Sequence, residues 1–293
     1  GTSFSTNLGR GGSTGRSLHA DGFFLRGGCQ PAVRVLLLVC LETNWKRFRM
    51  SQEHDTTDNG PVRPPNEPVF NLPNVVLAML LVMVAIQVAL DSLLPRAAVL
   101  EIYLQTAFIP QRYAIGISGQ AGPYLWSPIT YSLLHGGYTH LALNSFWLAA
   151  FGAVVARRIG WVRFLVFWLL SALASAALFL AFHWGDQTVM VGASGVVSAL
   201  MGAAARFAFG DGGGFRRDRA HLNRRLSIAQ SLGNRTVLGF LVVWFVINLL
   251  AAVGFSFGIA DSAIAWEAHV GGFLFGFLAF SLFDPLRQDT NLW

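Results

Sequence analysis

Charged residues are scarce in this chain: only 12% of its 293 residues are Asp, Glu, Lys or Arg, and Lys46 is its single lysine. Soluble domains carry about 25% charged residues. Here 54% of the residues are hydrophobic and the mean hydropathy is +0.51. This composition excludes a disordered protein, a coiled coil and an ordinary cytosolic enzyme. Because the apolar residues come in long runs, it predicts an all-α, polytopic membrane protein.

Cysteine is also scarce, and its position excludes several kinds of site. The two cysteines, Cys29 and Cys40, both precede Met50, so the long apolar runs contain none. A disulfide scaffold, a structural zinc site and a cysteine nucleophile are therefore excluded from the apolar part of the chain.

The first 72 residues are predicted to be a flexible N-terminal segment. Residues 1–49 are rich in Gly, Ser and Arg, and their apolar stretch at 35–41 is too short to span a bilayer. Met50 is the first methionine, so we interpret it as the natural start and the preceding residues as upstream sequence. The alternative is a genuine cytoplasmic tail. Residues 285–293 are expected to form a short C-terminal tail.

Between these segments, residues 73–284 contain six apolar runs of membrane length. Each has about 20 residues, enough to cross a bilayer at about 1.5 Å of rise per residue. The six runs are 73–94, 130–153, 162–183, 189–208, 236–257 and 264–283. The long linker at 95–129 is semi-apolar, and we expect it to form short helices lying at the membrane surface. The prediction is a single six-helix membrane domain.

Arginine is distributed unevenly among the linkers. Those after the third and fifth runs contain no arginine or lysine, whereas those after the second and fourth are rich in arginine. Those arginines are Arg157, Arg158, Arg163, Arg206, Arg216, Arg217, Arg219, Arg224, Arg225 and Arg235. Because positively charged loops stay in the cytoplasm, both termini are predicted to be cytoplasmic. We interpret the arginines as contacting the lipid bilayer rather than nucleic acid.

Polar residues within three of the runs point to a functional site, because ionisable groups are costly inside a membrane. The second run holds His135, then His140 and Asn144 about ten to fourteen residues from its start. Ser194 and His269 each lie about five residues into the fourth and sixth runs. All three runs enter from the predicted outer face. A hydroxyl, an imidazole and an amide at similar depth are the groups that acyl transfer requires.

Helical spacing supports a shared site. His140 and Asn144 are four residues apart and so lie on one face of a helix. His269 shares a face with Gly272 and Gly276, which form a GxxxG pair. Small residues let helices approach closely in lipid. Packing of the fourth run against the sixth is therefore expected to bring Ser194 near His269.

At these residues the chain resembles the rhomboid family of intramembrane serine proteases. The matching text is His135-(4)-His140-Leu141-(2)-Asn144, GASGVVSALMG at 192–202, and Ala268-His269-(2)-Gly272-(3)-Gly276. Each motif alone is weak, but three in this order are specific. The resemblance implies a six-helix rhomboid-like bundle. It also implies an endopeptidase that cuts transmembrane protein substrates near the outer membrane face, without a metal or another cofactor.

The resemblance also assigns roles to individual residues. Ser194 corresponds to the nucleophile and His269 to the general base of a dyad that has no acidic third member. His140 and Asn144, with the backbone N–H of Ser194, correspond to the oxyanion hole. The residues implied to support the site are Gly192, Gly195, His135, Gly272 and Gly276.

One departure from the family pattern concerns the catalytic histidine. Members often carry a tyrosine four residues after the nucleophile, stacked on the histidine, and here that position is Ser198. His269 must then be held differently, and we consider Ser198 itself or Trp266. Glu267 is two residues from His269 and points to another face, which disfavours it as a third member. Asn248, in the fifth run, is interpreted as bonding to a neighbouring helix.

Two alternative functions remain open on the sequence. One is a non-proteolytic protein of the same fold that binds membrane proteins for quality control, although such proteins usually lose the serine or the histidine. The other is a six-span transporter, which predicts polar residues through the whole membrane thickness. The high ratio of arginine to lysine and the abundant alanine indicate a GC-rich bacterial genome. A bacterial inner membrane is therefore the expected location.

Overall fold

The computed structural model describes residues 72–210, 219–253 and 265–285. The N-terminal segment with its Met50 start, Arg216 and Arg217 lie outside these ranges. So do the end of the fifth predicted run at 254–257 and the C-terminal tail from residue 286. The predictions made for those residues stay predictions.

The described residues are mostly helical, and their isolated β-bridge pairs Phe108 with Met190. This confirms the all-α fold class. Two short 3₁₀ turns, Tyr131–Leu133 and Ala220–Leu222, connect helices. The helices are α1 (Asn74–Leu93), α2 (Arg96–Thr106), α3 (Gln111–Ile115), α4 (Ala121–Thr130), α5 (Tyr138–Ile159), α6 (Trp161–Phe182), α7 (Ser194–Ala205), α8 (Ile228–Gly233), α9 (Arg235–Ala252) and α10 (Trp266–Leu282).

Four of the described helices are long and apolar enough to cross a membrane: α1, α5, α6 and α9. They fall on the first, second, third and fifth predicted runs. The fourth and sixth runs contain the shorter apolar helices α7 and α10. With 12 residues, α7 is about 18 Å long, which is less than the hydrocarbon core of about 30 Å.

The second predicted run begins too early. The apolar run starts at residue 130, but the transmembrane helix α5 begins at Tyr138. Gly137 has a φ of +147°, a conformation that favours glycine and separates α5 from the preceding turn. The residues up to Thr130 belong to the separate helix α4. His135 therefore lies in the loop before α5 rather than inside a span.

The linker after α1 contains three short helices, α2, α3 and α4, as its semi-apolar sequence predicts. The Arg112 side chain is buried there and donates hydrogen bonds to the carbonyl oxygens of Leu104 and Ala107. In the same linker the Trp126 indole N–H donates to the Gln105 carbonyl, with a nitrogen–oxygen distance of 2.7 Å. Side chains thus fasten these helices to one another.

The helices α7 and α10 pack with their backbones in direct contact. A Cβ atom built on Gly272 would overlap the Gly195 carbonyl oxygen, and one on Gly276 would overlap the Ala199 carbonyl oxygen. From the α7 side, a Cβ on Gly202 would lie 2.9 Å from the backbone nitrogen of Phe277. Glycine at these positions therefore allows an approach that a larger residue would prevent.

Buried arginines join the helices at the end of the bundle opposite Ser194. The Arg158 guanidinium forms an ion pair with the Asp284 carboxylate at 2.9 Å, and both side chains are 1% exposed. The Arg206 side chain donates to the backbone carbonyls of Leu226 and Phe277. Arg158 was predicted to lie in a loop, but it belongs to the last turn of α5. We call this cluster of Arg158, Arg206 and Asp284 the arginine end.

Candidate active site

Ser194 is the first residue of α7, whereas the sequence placed it about five residues into a span. It follows a buried turn in which Gly192 has a φ of +120°, a conformation that glycine adopts readily and other residues rarely. The Gly192 N–H donates to the Tyr131 carbonyl at 3.0 Å. This bond and the glycine turn hold the backbone so that the Ser194 side chain begins the helix, half-buried.

The N-terminus of α7 supplies free backbone donors next to that side chain. The first N–H groups of an α-helix have no intrahelical acceptor, and the helix dipole adds a partial positive charge there. In α7 the first intrahelical bond runs from the Val197 N–H to the Ala193 carbonyl at 2.8 Å. The backbone N–H of Ser194 precedes this bond and can face a developing negative charge.

His140 and Asn144 converge on the turn before Ser194. A Cβ built on Gly192 would lie 2.7 Å from His140 Nε2 and 3.6 Å from Asn144 Nδ2. His140 is the third residue of α5 and Asn144 the seventh. Both are therefore in the first two turns of their helix, as Ser194 is in α7, rather than the ten to fourteen residues deep that the sequence suggested.

Each of these two side chains can present an N–H donor to the turn. His140 Nδ1 faces the Gly136 backbone N–H at a long 3.5 Å, so Nδ1 is the acceptor and Nε2 carries the proton. Asn144 is 4% exposed, and its Nδ2 makes no hydrogen bond within the described residues. A buried amide donor without a partner is costly, and this one would be satisfied by an anionic oxygen bound here.

His135 lies next to His140, in the loop that leads into α5. Its ring is fully buried, with its centroid 5.2 Å from that of His140 and the two planes at 73°. The Tyr103 hydroxyl of α2 donates to the His135 carbonyl at 2.7 Å. Burial raises the pKa of Tyr103, and the charge of Asp91 adds to this, so the hydroxyl stays a neutral donor.

His269 is the fourth residue of α10 and is half-buried. The residues next to the serine and the histidine meet at the interface of the two helices. A Cβ built on Gly195 would lie 3.2 Å from the Ala268 carbonyl oxygen and 2.5 Å from the Ser175 hydroxyl of α6. The glycine contacts between α7 and α10 thus place Ser194 and His269 at the same end of the same helix pair.

The polar partner of His269 comes from α9. His269 Nδ1 lies 2.8 Å from Oδ1 of Asn248. This corrects the expectation that Ser198 or Trp266 would hold the histidine, since the Trp266 ring packs against Phe182 at 5.6 Å. The sequence predicts that Asn248 bonds to a neighbouring helix, and it does. The sequence does not identify His269 as the partner. The sequence feature that could have indicated this contact is the single amide in the middle of an apolar run.

Glu267 belongs to a different cluster. Its Oε1 lies 3.2 Å from Nε2 of His183, whose Nδ1 in turn lies 3.0 Å from Oδ2 of Asp186. These contacts join the residues just after α6 to the first turn of α10. They occupy the carboxylate that was considered as a third member beside His269.

Within the part of the chain that the structure describes, no group of three or more His, Cys, Asp or Glu side chains could hold a metal ion. The groups that lie at the candidate site are a hydroxyl, an imidazole and several N–H donors. Arranged around one helix N-terminus, these groups suit attack on a carbonyl carbon and stabilisation of the resulting oxyanion.

Comparison with known proteins identifies a matching family and several relatives. The family model for the Rhomboid domain matches residues 122–284. The rhomboid protease GlpG of Pectobacterium atrosepticum is 31% identical over 154 residues, which cover 53% of this chain and 47% of that protein. The rhomboid protease GluP of Bacillus subtilis is 29% identical over 154 residues, covering 53% of this chain and 25% of that protein.

A plant relative is similar to a comparable extent. The RHOMBOID-like protein 6, mitochondrial, of Arabidopsis thaliana is 28% identical over 177 residues, covering 57% of this chain and 46% of that protein. The chain thus spans about half or less of the length of these curated relatives. The range matched by the Rhomboid domain model, 122–284, includes α5 to α10 with His140, Asn144, Ser194 and His269.

Proposed function

Because the chain belongs to the rhomboid family, we propose that it is an intramembrane serine endopeptidase that cleaves transmembrane protein substrates. The observation that carries the proposal is the convergence of His140 and Asn144 on the turn before Ser194, with His269 on the adjoining helix. A buried serine in a membrane helix is usually a packing residue. Ser194, however, is half-buried and starts a helix, with the donors of His140 and Asn144 at the preceding turn and His269 on the adjoining helix.

In the proposed mechanism Ser194 Oγ attacks the scissile carbonyl carbon while His269 Nε2 accepts the hydroxyl proton. The tetrahedral intermediate collapses, the carbon–nitrogen bond breaks, and His269 returns the proton to the leaving amine. Water then attacks the acyl-enzyme with His269 again as the base, releasing the new carboxylate and regenerating Ser194. This is the sequence of proton transfers that a serine and a histidine perform on unrelated folds.

The oxyanion would be bound by three donors: Nε2 of His140, Nδ2 of Asn144 and the backbone N–H of Ser194. The side-chain donors of His140 and Asn144 lie close to Gly192 in the turn before Ser194, and the Ser194 N–H is at the N-terminus of α7. Fixed donors in a partly desolvated site stabilise a transition state more than mobile water does.

The shortness of α7 supports access of water to the serine. Irregular backbone at membrane depth is tolerated only where protein buries it or where it lines a water-filled cavity. The turn at Gly192 and Ala193 is buried, whereas Ser194, His140 and His269 are each half-buried. The site would therefore be a recessed cavity open on the side of Ser194.

We further propose that this cavity opens away from the cytoplasm, in a bacterial inner membrane, with both termini cytoplasmic. α5, α7 and α10 all begin near the site and run toward the arginine end. Arginines concentrate on the cytoplasmic side of membrane proteins, which puts the site at the outer face. Cleavage near the outer ends of transmembrane substrates follows from this orientation.

Labelling with a fluorophosphonate tests the serine assignment without a known substrate. The full-length protein in detergent micelles is expected to be modified at Ser194, identified by peptide mass spectrometry, and the Ser194→Ala variant is not. His269→Ala should remove the labelling as well, because the hydroxyl then lacks its base. Modification of another serine instead would exclude Ser194 as the nucleophile, and no modification in a folded sample would favour the non-proteolytic alternative.

Replacing Asn144 by alanine tests the oxyanion hole. Loss of one oxyanion donor typically lowers the rate by about 10²–10³-fold, and we expect that decrease in the turnover of a fluorogenic transmembrane peptide. The protein should remain folded because Asn144 Nδ2 makes no hydrogen bond within the described residues. A rate within twofold of the unsubstituted protein would exclude Asn144 from the oxyanion hole.

A further inference from the structure

The polar side chain of Asn248 lies at an unusual place for a membrane helix. α9 is an apolar helix, and only 17% of its 18 residues are buried within the protein. Its buried residues are Val237, Trp244 and Asn248. Asn248 is 6% exposed, so this amide faces into the protein while most of its helix does not. A buried polar group on an apolar helix requires a partner, and its partner here is His269.

The orientation of the Asn248 amide follows from its two hydrogen bonds. Its Nδ2 donates to the Trp244 carbonyl one turn earlier, at 2.8 Å, and a carbonyl oxygen can only accept. Oδ1 is therefore the atom that faces His269, at 2.8 Å from Nδ1. Because Oδ1 can only accept a hydrogen bond, Nδ1 of a neutral His269 carries the proton.

This arrangement fixes the tautomer that catalysis needs. With the proton on Nδ1, the lone pair of the neutral imidazole is on Nε2, which is then free to accept the Ser194 hydroxyl proton. An acceptor behind the histidine performs this function in other proteases, and it can be a neutral asparagine amide. We propose that Asn248 is a positioning residue that holds His269 in its basic tautomer. This inference rests on the proposed proteolytic function.

Because of this hydrogen bond, the orientation of the His269 ring depends on the packing of α9 against α10. Beside the hydrogen bond, the Trp244 ring stacks on Phe273 of α10 with centroids 4.1 Å apart. Because little of α9 is buried, these two contacts form a substantial part of its attachment at this level of the bundle. The base is therefore oriented only when α9 is packed against α10, which links the position of this helix to activity.

The rate of fluorophosphonate labelling of Ser194, measured from pH 5 to pH 10 in the full chain, tests the proposal. Asn248→Ala is expected to lower the maximal rate about 10- to 100-fold, because the histidine loses the acceptor that selects its tautomer. Asn248→Asp keeps that acceptor and should retain most of the rate. Its carboxylate, however, stabilises the protonated, inactive imidazolium, so the rising limb of its pH profile moves to higher pH.

A packing role alone gives a different pattern. It predicts that both variants lose thermal stability, with the shape of the pH profile unchanged. Leu249→Ala is the matched control, since this neighbour on α9 is 52% exposed and should label at the unsubstituted rate. An Asn248→Ala rate within twofold of that rate, or an unshifted Asn248→Asp profile, would overturn the proposal. If the unsubstituted protein itself failed to label at Ser194, the proposed function would fail instead.

Discussion

Ser194→Ala is expected to abolish cleavage of single-span model substrates. Removing the nucleophile of a serine protease lowers the turnover rate on the order of 10⁶-fold, which is below detection in a gel-based assay. The substitution should lower the turnover rate without weakening substrate binding. The helix N-terminus, His140 and Asn144 remain in place to contact the substrate carbonyl.

Folding should be unaffected, because the Ser194 hydroxyl lies at the start of α7 and is half-buried rather than part of its packed face. Ser198→Ala is the matched control, as the same change one turn further along the same helix. Ser198 is 5% exposed and is not assigned to the dyad, so this variant should keep its activity. Cleavage that persists in Ser194→Ala would exclude Ser194 as the nucleophile, whereas equal loss in Ser198→Ala would show that the loss comes from disturbing the packing of α7.

The groups of the site could be chosen from the sequence because a membrane penalises polar residues. Each hydroxyl, imidazole or amide inside an apolar run requires a reason, and the i, i+4 spacing of His140 and Asn144 places them on one face. The GxxxG spacing of Gly272 and Gly276 likewise follows from helical periodicity. These inferences depend only on residue types and helical periodicity, and both can be obtained from a single sequence.

The helix boundaries could not be obtained in the same way. Hydropathy measures how apolar a stretch is, so it merges helices with the buried loops beside them. The residues before Ser194 are apolar but form a turn, because Gly192 has a positive φ and its N–H bonds to Tyr131. Likewise, the residues from 130 to Gly137 connect two helices. Both errors placed site residues deeper than they are.

The partner of His269 was not predictable because it depends on how two helices face each other. Asn248 is far from the other site residues in sequence, and its run is otherwise apolar. Only the rotation of α9 about its own axis decides whether the amide meets α10 or lipid. Packing contacts such as the Trp244–Phe273 stack set that rotation. Such contacts cannot be deduced from the pattern of a single sequence.

Gly276→Ala is expected to destabilise the bundle although it adds a single methyl group. The new Cβ would overlap the Ala199 carbonyl oxygen and lie 2.6 Å from the Ala199 carbonyl carbon. Those atoms are backbone and cannot rotate away, so α7 and α10 must move apart. Such overpacking costs about 3 kcal/mol in the free energy of unfolding, measurable by titrating the protein with SDS in mixed micelles.

Activity should fall with stability, because the displaced interface is the one that sets the distance between Ser194 and His269. A misplacement of about 1 Å lowers the rate about 10²-fold even when the mutation is remote from the chemistry. Gly239→Ala is the matched control: a Cβ there meets nothing within 4 Å, so the change should be neutral or stabilise α9 by about 0.5–1 kcal/mol. Equal stability and equal fluorophosphonate labelling in the two glycine variants would contradict the backbone contact. That result would mean that the dyad is assembled by the surrounding loops instead of by the α7–α10 pair.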